Sequence, residues 1–136
     1  MTEHKLISAD SHIIEPPDLY TNRIEPRYRD RAPRMERVET PTGRKYDAWF
    51  IDGRQAGTLG AVMQAGQRFE DPSNIDFLGI WEDVRLGAYE PQAMVKENEM
   101  DGVWGACLQP SQGLFWYLHS FPTAEAARAS ETCRIP

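Results

Sequence analysis

Between Glu90 and Leu108 the chain reads Glu-Pro, a stretch of helical composition to Asp101, then Gly102 and the apolar run Val103-Trp-Gly-Ala-Cys-Leu108, stopped by Gln109-Pro110. Proline in a first turn loses no hydrogen bond, and glycine past the last turn accepts the left-handed geometry that ends a helix. A helix is therefore expected over 90–101 and a buried strand over 103–108. Helix, glycine and apolar strand together form the second half of a βαβ unit, so an earlier strand must pair with this one. Residues 5–10, with Leu6 and Ile7 as their apolar body, meet that need. If the two strands pair in parallel, a long crossover joins them, and everything between lies inside it.

That crossover is unusual in content. Pro16, Pro17, Pro26 and Pro33 break any long element between Glu15 and Arg34, leaving room for one helical turn near Pro17–Tyr20. Two β-prone runs, 35–40 and 44–51, flank Pro41-Thr42-Gly43 and predict a hairpin inserted in the crossover. Asp52-Gly53-Arg54 reads as a turn, and the glycines at 57, 60 and 66 suggest a loop with little packed structure. Trp104, inside the apolar strand, is assigned to the core. Residues 122–134 are alanine-rich and suit a helix that buries little.

Size and composition limit the whole. At 136 residues the chain suits one domain, whereas a complete (β/α)8 barrel needs ~250. Leu, Ile, Val and Phe make up about a fifth of the chain, near the level at which disorder competes with folding. Four Trp, five Tyr and five Phe, with a net charge of only −6, argue for a folded chain with a thin core. A pI near 5.0 opposes general nucleic-acid binding, and no apolar run suits a signal peptide or a membrane span. The default compartment is the cytoplasm, where Cys107 and Cys133, lacking CxxC spacing, stay thiols. Charge is segregated: six arginines lie between Arg23 and Arg37, and nine acids between Glu70 and Asp101. Such runs form two surfaces that face each other or a partner, or they are simply solvated faces.

The residues best suited to chemistry are Asp10-Ser11-His12. Residues two apart on a strand share a face, so a carboxylate and an imidazole project together there, a donor pair that suits zinc, manganese or iron. Spacing alone equally allows a plain hydrogen-bonded pair. The segment Leu6-Ile-Ser-Ala-Asp10-Ser-His12-Ile-Ile-Glu15-Pro-Pro-Asp18-Leu-Tyr20 resembles the opening strand and loop of the amidohydrolase-related metal-dependent hydrolases, in the branch of the aminocarboxymuconate-semialdehyde decarboxylases. Ala88 to Ser111 resembles the next helix and strand of the same family, and the likeness spans roughly residues 5–117.

The resemblance implies an α/β fold, the N-terminal portion of a (β/α)8 barrel with a hairpin insertion, left incomplete, over residues 1–117, with a divergent tail over 118–136. It implies a metal-dependent hydrolase or decarboxylase acting on a small aromatic or carboxylic acid, with Asp10 and His12 as ligands to a divalent metal, zinc first and manganese second. Further ligands in the family come from positions downstream of this chain, so an inactive N-terminal fragment is expected, with exposed strand edges that favour self-association. The rival expectation is a small noncatalytic binding or assembly module. Glu15 is the candidate catalytic residue, orienting a ligand or a water, or else capping the turn at Pro17. Arg23, Arg27 and Arg29 could hold a substrate carboxylate or stay solvated, and Ser111 lies at a strand end where barrel enzymes place functional groups. His4 is expected in solvent, and His119 is a weak substitute ligand.

Overall fold

The computed structural model describes residues 4–60, 62–66 and 71–111. Strand β1 (Leu6–Ile13) pairs in parallel with β5 (Val103–Pro110), and helix α2 (Pro91–Met100) precedes β5. Pro91 opens α2, Asp101 donates its backbone N–H to the Glu97 carbonyl, and Gly102 at φ 72° turns the chain out of the helix. The expected parallel pair is therefore present. β1 runs three residues beyond the expected Asp10, so Ser11 and His12 lie within the strand along with Asp10.

The crossover holds the predicted hairpin, β2 (Arg34–Glu39) with β3 (Lys45–Ile51), antiparallel and closed at its turn by Thr40 N–H to the Arg44 carbonyl, 2.8 Å. A third strand, β4 (Arg54–Thr58), continues this sheet in the order β2-β3-β4. Loose loop was expected there, and the structure corrects it. Asp52 and Gly53, at φ 51° and 75°, make the left-handed two-residue turn whose twist matches antiparallel strands. β4 carries no large apolar side chain to announce it, yet Leu59 just beyond is fully buried. Between Glu15 and Arg34 the prolines act as expected: a short helix α1 (Leu19–Arg23) and a 3₁₀ turn over Pro26–Arg31 are the only regular elements among the described residues there.

Core burial concentrates on the hairpin side. Trp49 packs with Tyr20, Ile24 and Ala32, its ring edge-on to Tyr20 at 6.4 Å. Ile14, Leu59 and Val84 form a second cluster, flanked by Trp81 and Tyr89, and Met35 touches both. Arginines fasten the acidic segment onto the hairpin. Arg37 of β2 makes two bonds to Asp47 of β3, 2.9 and 2.8 Å, and one to Glu82, while Arg44 reaches Asp76 and the Leu78 carbonyl. Of the six arginines at 23–37, Arg37 carries the charge complementarity to the acidic run; Arg27, Arg31 and Arg34 pair with Glu25, Asp52 and Glu36 near by.

The β1–β5 sheet is different. Leu6, Ile7, Trp104 and Leu108 are exposed, and α2 buries no residue fully. Trp104, assigned to the core from sequence, is 64% exposed, with the Lys5 ammonium 4.0 Å from its ring centre. An apolar parallel strand has the composition of one covered on both faces, and among the described residues β5 packs mainly on β1 and α2.

Candidate metal centre

In β1, Ser8 is paired with Ala106 but Ser11 with Leu108, so three residues of β1 advance against two of β5. That is a one-residue bulge at Ala9–Asp10, a device that re-aims side chains beside functional sites. Past it, Asp10 and His12 lie two apart and come together, the carboxylate Oδ1 3.3 Å from the imidazole Nε2. Both side chains are open, 78% and 56% exposed, on a strand rather than a loop. The two headgroups predicted to converge do converge.

The spacing suits a metal. Two donors each ~2.05 Å from a tetrahedral zinc lie about 3.3 Å apart, and carboxylate oxygen with imidazole nitrogen is a common zinc donor set. The number of donors is short: among the described residues no third His, Cys, Asp or Glu joins them. Catalytic zinc usually takes three protein ligands. Asp10 and His12 therefore fit as part of such a site and would hold one side of an ion.

Glu15 lies elsewhere in this geometry. It is buried, 7% exposed, and its Oε1 accepts the Tyr20 hydroxyl proton at 3.1 Å. Neighbouring Ile14 donates its N–H to the Ala88 carbonyl, which ties the end of β1 to the turn before α2. Ser111 donates its N–H to the Ile13 carbonyl, while its hydroxyl is buried with no hydrogen-bond partner among the described residues. Arg27 stacks on Tyr28 and pairs with Glu25, Arg23 and Arg29 are exposed, and so is His4. His119, Cys133 and the tail helix expected over 122–134 lie outside the described residues. A groove of about 310 Å³ runs between β1 and α2, lined by Ser11, His12, Arg85, Glu97, Asn98 and Asp101. Arg85 and Glu97 pair across it at 3.1 Å.

Two features were missed from the sequence. The Ser8–Ser11 hydroxyl bond, 2.7 Å, needs the bulge, and nothing in the local sequence announces a bulge. The Arg37–Asp47 pair had a usable signal, since a hairpin turning at 41–43 sets these two directly opposite. Asp47 is buried and also accepts the Trp81 N–H at 2.7 Å. The Arg37 guanidinium, then that N–H, hold its carboxyl below the ordinary range.

Compared with known proteins, the chain matches no family model and no curated protein. Among solved structures it resembles a crystal structure of an amidohydrolase from Mycobacterium avium subsp. paratuberculosis K-10, with a TM-score of 0.61 over 98% of this chain at 15% identity. The likeness defines a fold: the mixed α/β arrangement found in part of an amidohydrolase. This chain spans 37% of that protein's length, and its described residues form one parallel strand pair rather than a closed barrel. The decarboxylase branch inferred from sequence gains no support from this neighbour. No helix among the described residues is long and apolar enough to cross a membrane.

Proposed function

We propose that Asp10 and His12 are the first-strand ligands of a divalent-metal site of the amidohydrolase type, serving hydrolysis or decarboxylation of a small carboxylic or aromatic acid. The observation that carries this reading is the 3.3 Å convergence of the two headgroups on β1, in a fold similar to part of an amidohydrolase. When bound, the metal, zinc before manganese, supplies Lewis acidity toward a substrate oxygen. Asp10 contributes the negative charge that favours a cation, and His12 a neutral nitrogen donor. Their strand keeps them side by side without ordering a loop. Two donors hold an ion weakly, so the chain by itself is expected to bind zinc in the micromolar to millimolar range and to show little turnover.

The test is zinc titration by calorimetry, with metal content measured after chelator-free purification. Wild type should bind one zinc, and Asp10→Ala with His12→Ala should weaken binding at least about tenfold. Equal binding by both proteins overturns the assignment.

A second reading is favoured by one observation, the exposed Leu6, Ile7, Trp104 and Leu108 on a sheet that has no strand beyond β1 and β5 among the described residues. The edges of such a sheet template strand pairing, so we also propose self-association through β1–β5. Light scattering during size exclusion should give a concentration-dependent mass above 15.5 kDa, reduced by Ile7→Lys with Trp104→Lys. A monomer at all concentrations removes this reading.

A further inference from the structure

Arg23, Arg27 and Arg29, the arginines that the sequence suggests for a substrate carboxylate, do not border the groove that His12 lines, whereas Arg85 does. We propose that Arg85 holds the carboxylate of the substrate, and that Glu97 occupies its guanidinium when no substrate is present. The inference rests on reading Asp10 and His12 as metal donors, and it narrows the substrate to one that carries a carboxylate beside the oxygen presented to the metal.

Backbone contacts fix Arg85 relative to the donor strand. Its carbonyl accepts the Ala88 N–H at 3.0 Å, closing the 3₁₀ turn over Leu86–Ala88, and the Ala88 carbonyl accepts the Ile14 N–H at 2.8 Å. Ile14 lies two residues past His12, so the turn that carries Arg85 is tied to the strand that carries the donors. On the other wall Met94, Glu97, Asn98 and Asp101 recur at the three- and four-residue spacing of one helix face. The space between, about 310 Å³, is at the low end for small-molecule sites.

Both charged headgroups sit in room that glycines leave for them. Gly66, at φ 76°, lies against Arg85 Nη1, and Gly87 lies against the Glu97 carboxylate; a methyl group at either position would overlap the headgroup. Glu97 also shows what this guanidinium fits, because the group it already faces is a carboxylate. The hold is made at one point: Arg85 Nη2 meets Glu97 Oε1 at 3.1 Å, the only ion pair of Arg85 among the described residues. A guanidinium presents a planar fork that can grip both oxygens of a carboxylate, so this contact leaves donors for a better-placed anion. Arg85 and Glu97 are 48% and 39% exposed, which lets an incoming anion reach them and lets Glu97 turn to water. Glu97 and Asp101 otherwise make the groove acidic, so removing the Glu97 charge favours an anion in it.

The probes are benzoate and its neutral analogue benzamide, titrated into the full chain by calorimetry. Wild type should bind benzoate, and benzamide at least about tenfold more weakly. Arg85→Gln should weaken benzoate about tenfold, and Arg85→Lys should restore only part, because an ammonium lacks the fork. Glu97→Gln should tighten benzoate several-fold by removing the competing carboxylate. A purely structural ion pair predicts the opposite for Glu97→Gln, since breaking it from either side does the same harm, and a gain cannot come from misfolding. No benzoate binding by wild type, unchanged affinity in Arg85→Gln, or no gain in Glu97→Gln each overturns the proposal. Asp10→Ala with His12→Ala separates the two readings. If wild type takes up no zinc and that variant binds benzoate as wild type does, the metal assignment falls and Arg85 stands as the anion-holding residue.

Discussion

Trp49→Ala is expected to unfold this protein near body temperature. Trp49 is the largest fully buried side chain, and it joins β3 to α1 and the turn that follows through Tyr20, Ile24 and Ala32. Removing a buried indole costs about 3–5 kcal/mol in transfer and cavity terms, against the 5–15 kcal/mol that holds an ordinary domain. With so few large side chains in the interior, the cavity has little from which to refill. Thermal unfolding should drop by roughly 10–20 °C, measured by circular dichroism. Trp49→Phe separates packing from polarity. The indole N–H is buried with no hydrogen-bond partner among the described residues, a burden of about 1–3 kcal/mol that phenylalanine lifts. Trp49→Phe should therefore stay within about 1 kcal/mol of wild type, and equal damage from both substitutions would show that the N–H carries no such burden.

The second large effect concerns Asp47. Asp47→Asn keeps the shape but weakens two bonds from Arg37 inside the hairpin and the one from the Trp81 N–H that ties the 76–84 segment to it. Charged hydrogen bonds to a buried carboxylate are worth about 1.5–3 kcal/mol, so the variant should melt roughly 10 °C lower at pH 7. The pH dependence follows from the depressed carboxyl. Its pKa is lower folded than unfolded, so this stability is complete above the unfolded value of ~4 and is lost as pH falls through the folded value. Wild type should thus lose stability below about pH 4 more steeply than Asp47→Asn. Parallel acid profiles would remove Asp47 from the cause. Glu82 and Asp76 are also held low by Arg37 and Arg44, but they are solvent-exposed, and salt should screen their share.

Local patterns were legible where the chain states its own geometry. Proline and glycine around 90–102 marked α2 at both ends, and the turn at 41–43 marked the hairpin, because backbone preference acts over a few residues. Asp10 and His12 were readable as a pair from a spacing of two. β4 was not, since Arg54-Gln-Ala-Gly-Thr58 has neither alternation nor bulk, and it becomes a strand by pairing with β3. Glu15 read as a group orienting a ligand or a water, or as a cap for the turn at Pro17, and its seat against Tyr20 depends on where α1 packs.

By itself the sequence determined the hairpin, α2, the parallel strand pair and the carboxylate–imidazole pair on β1, all consequences of short-range periodicity and of the fixed preferences of proline and glycine. Only the tertiary structure decided the register shifts of β1 against β5, the burial of Asp47 under Arg37 and the exposure of Trp104. Each of these depends on which distant segment arrives to cover a surface, and a side chain cannot encode its own cover.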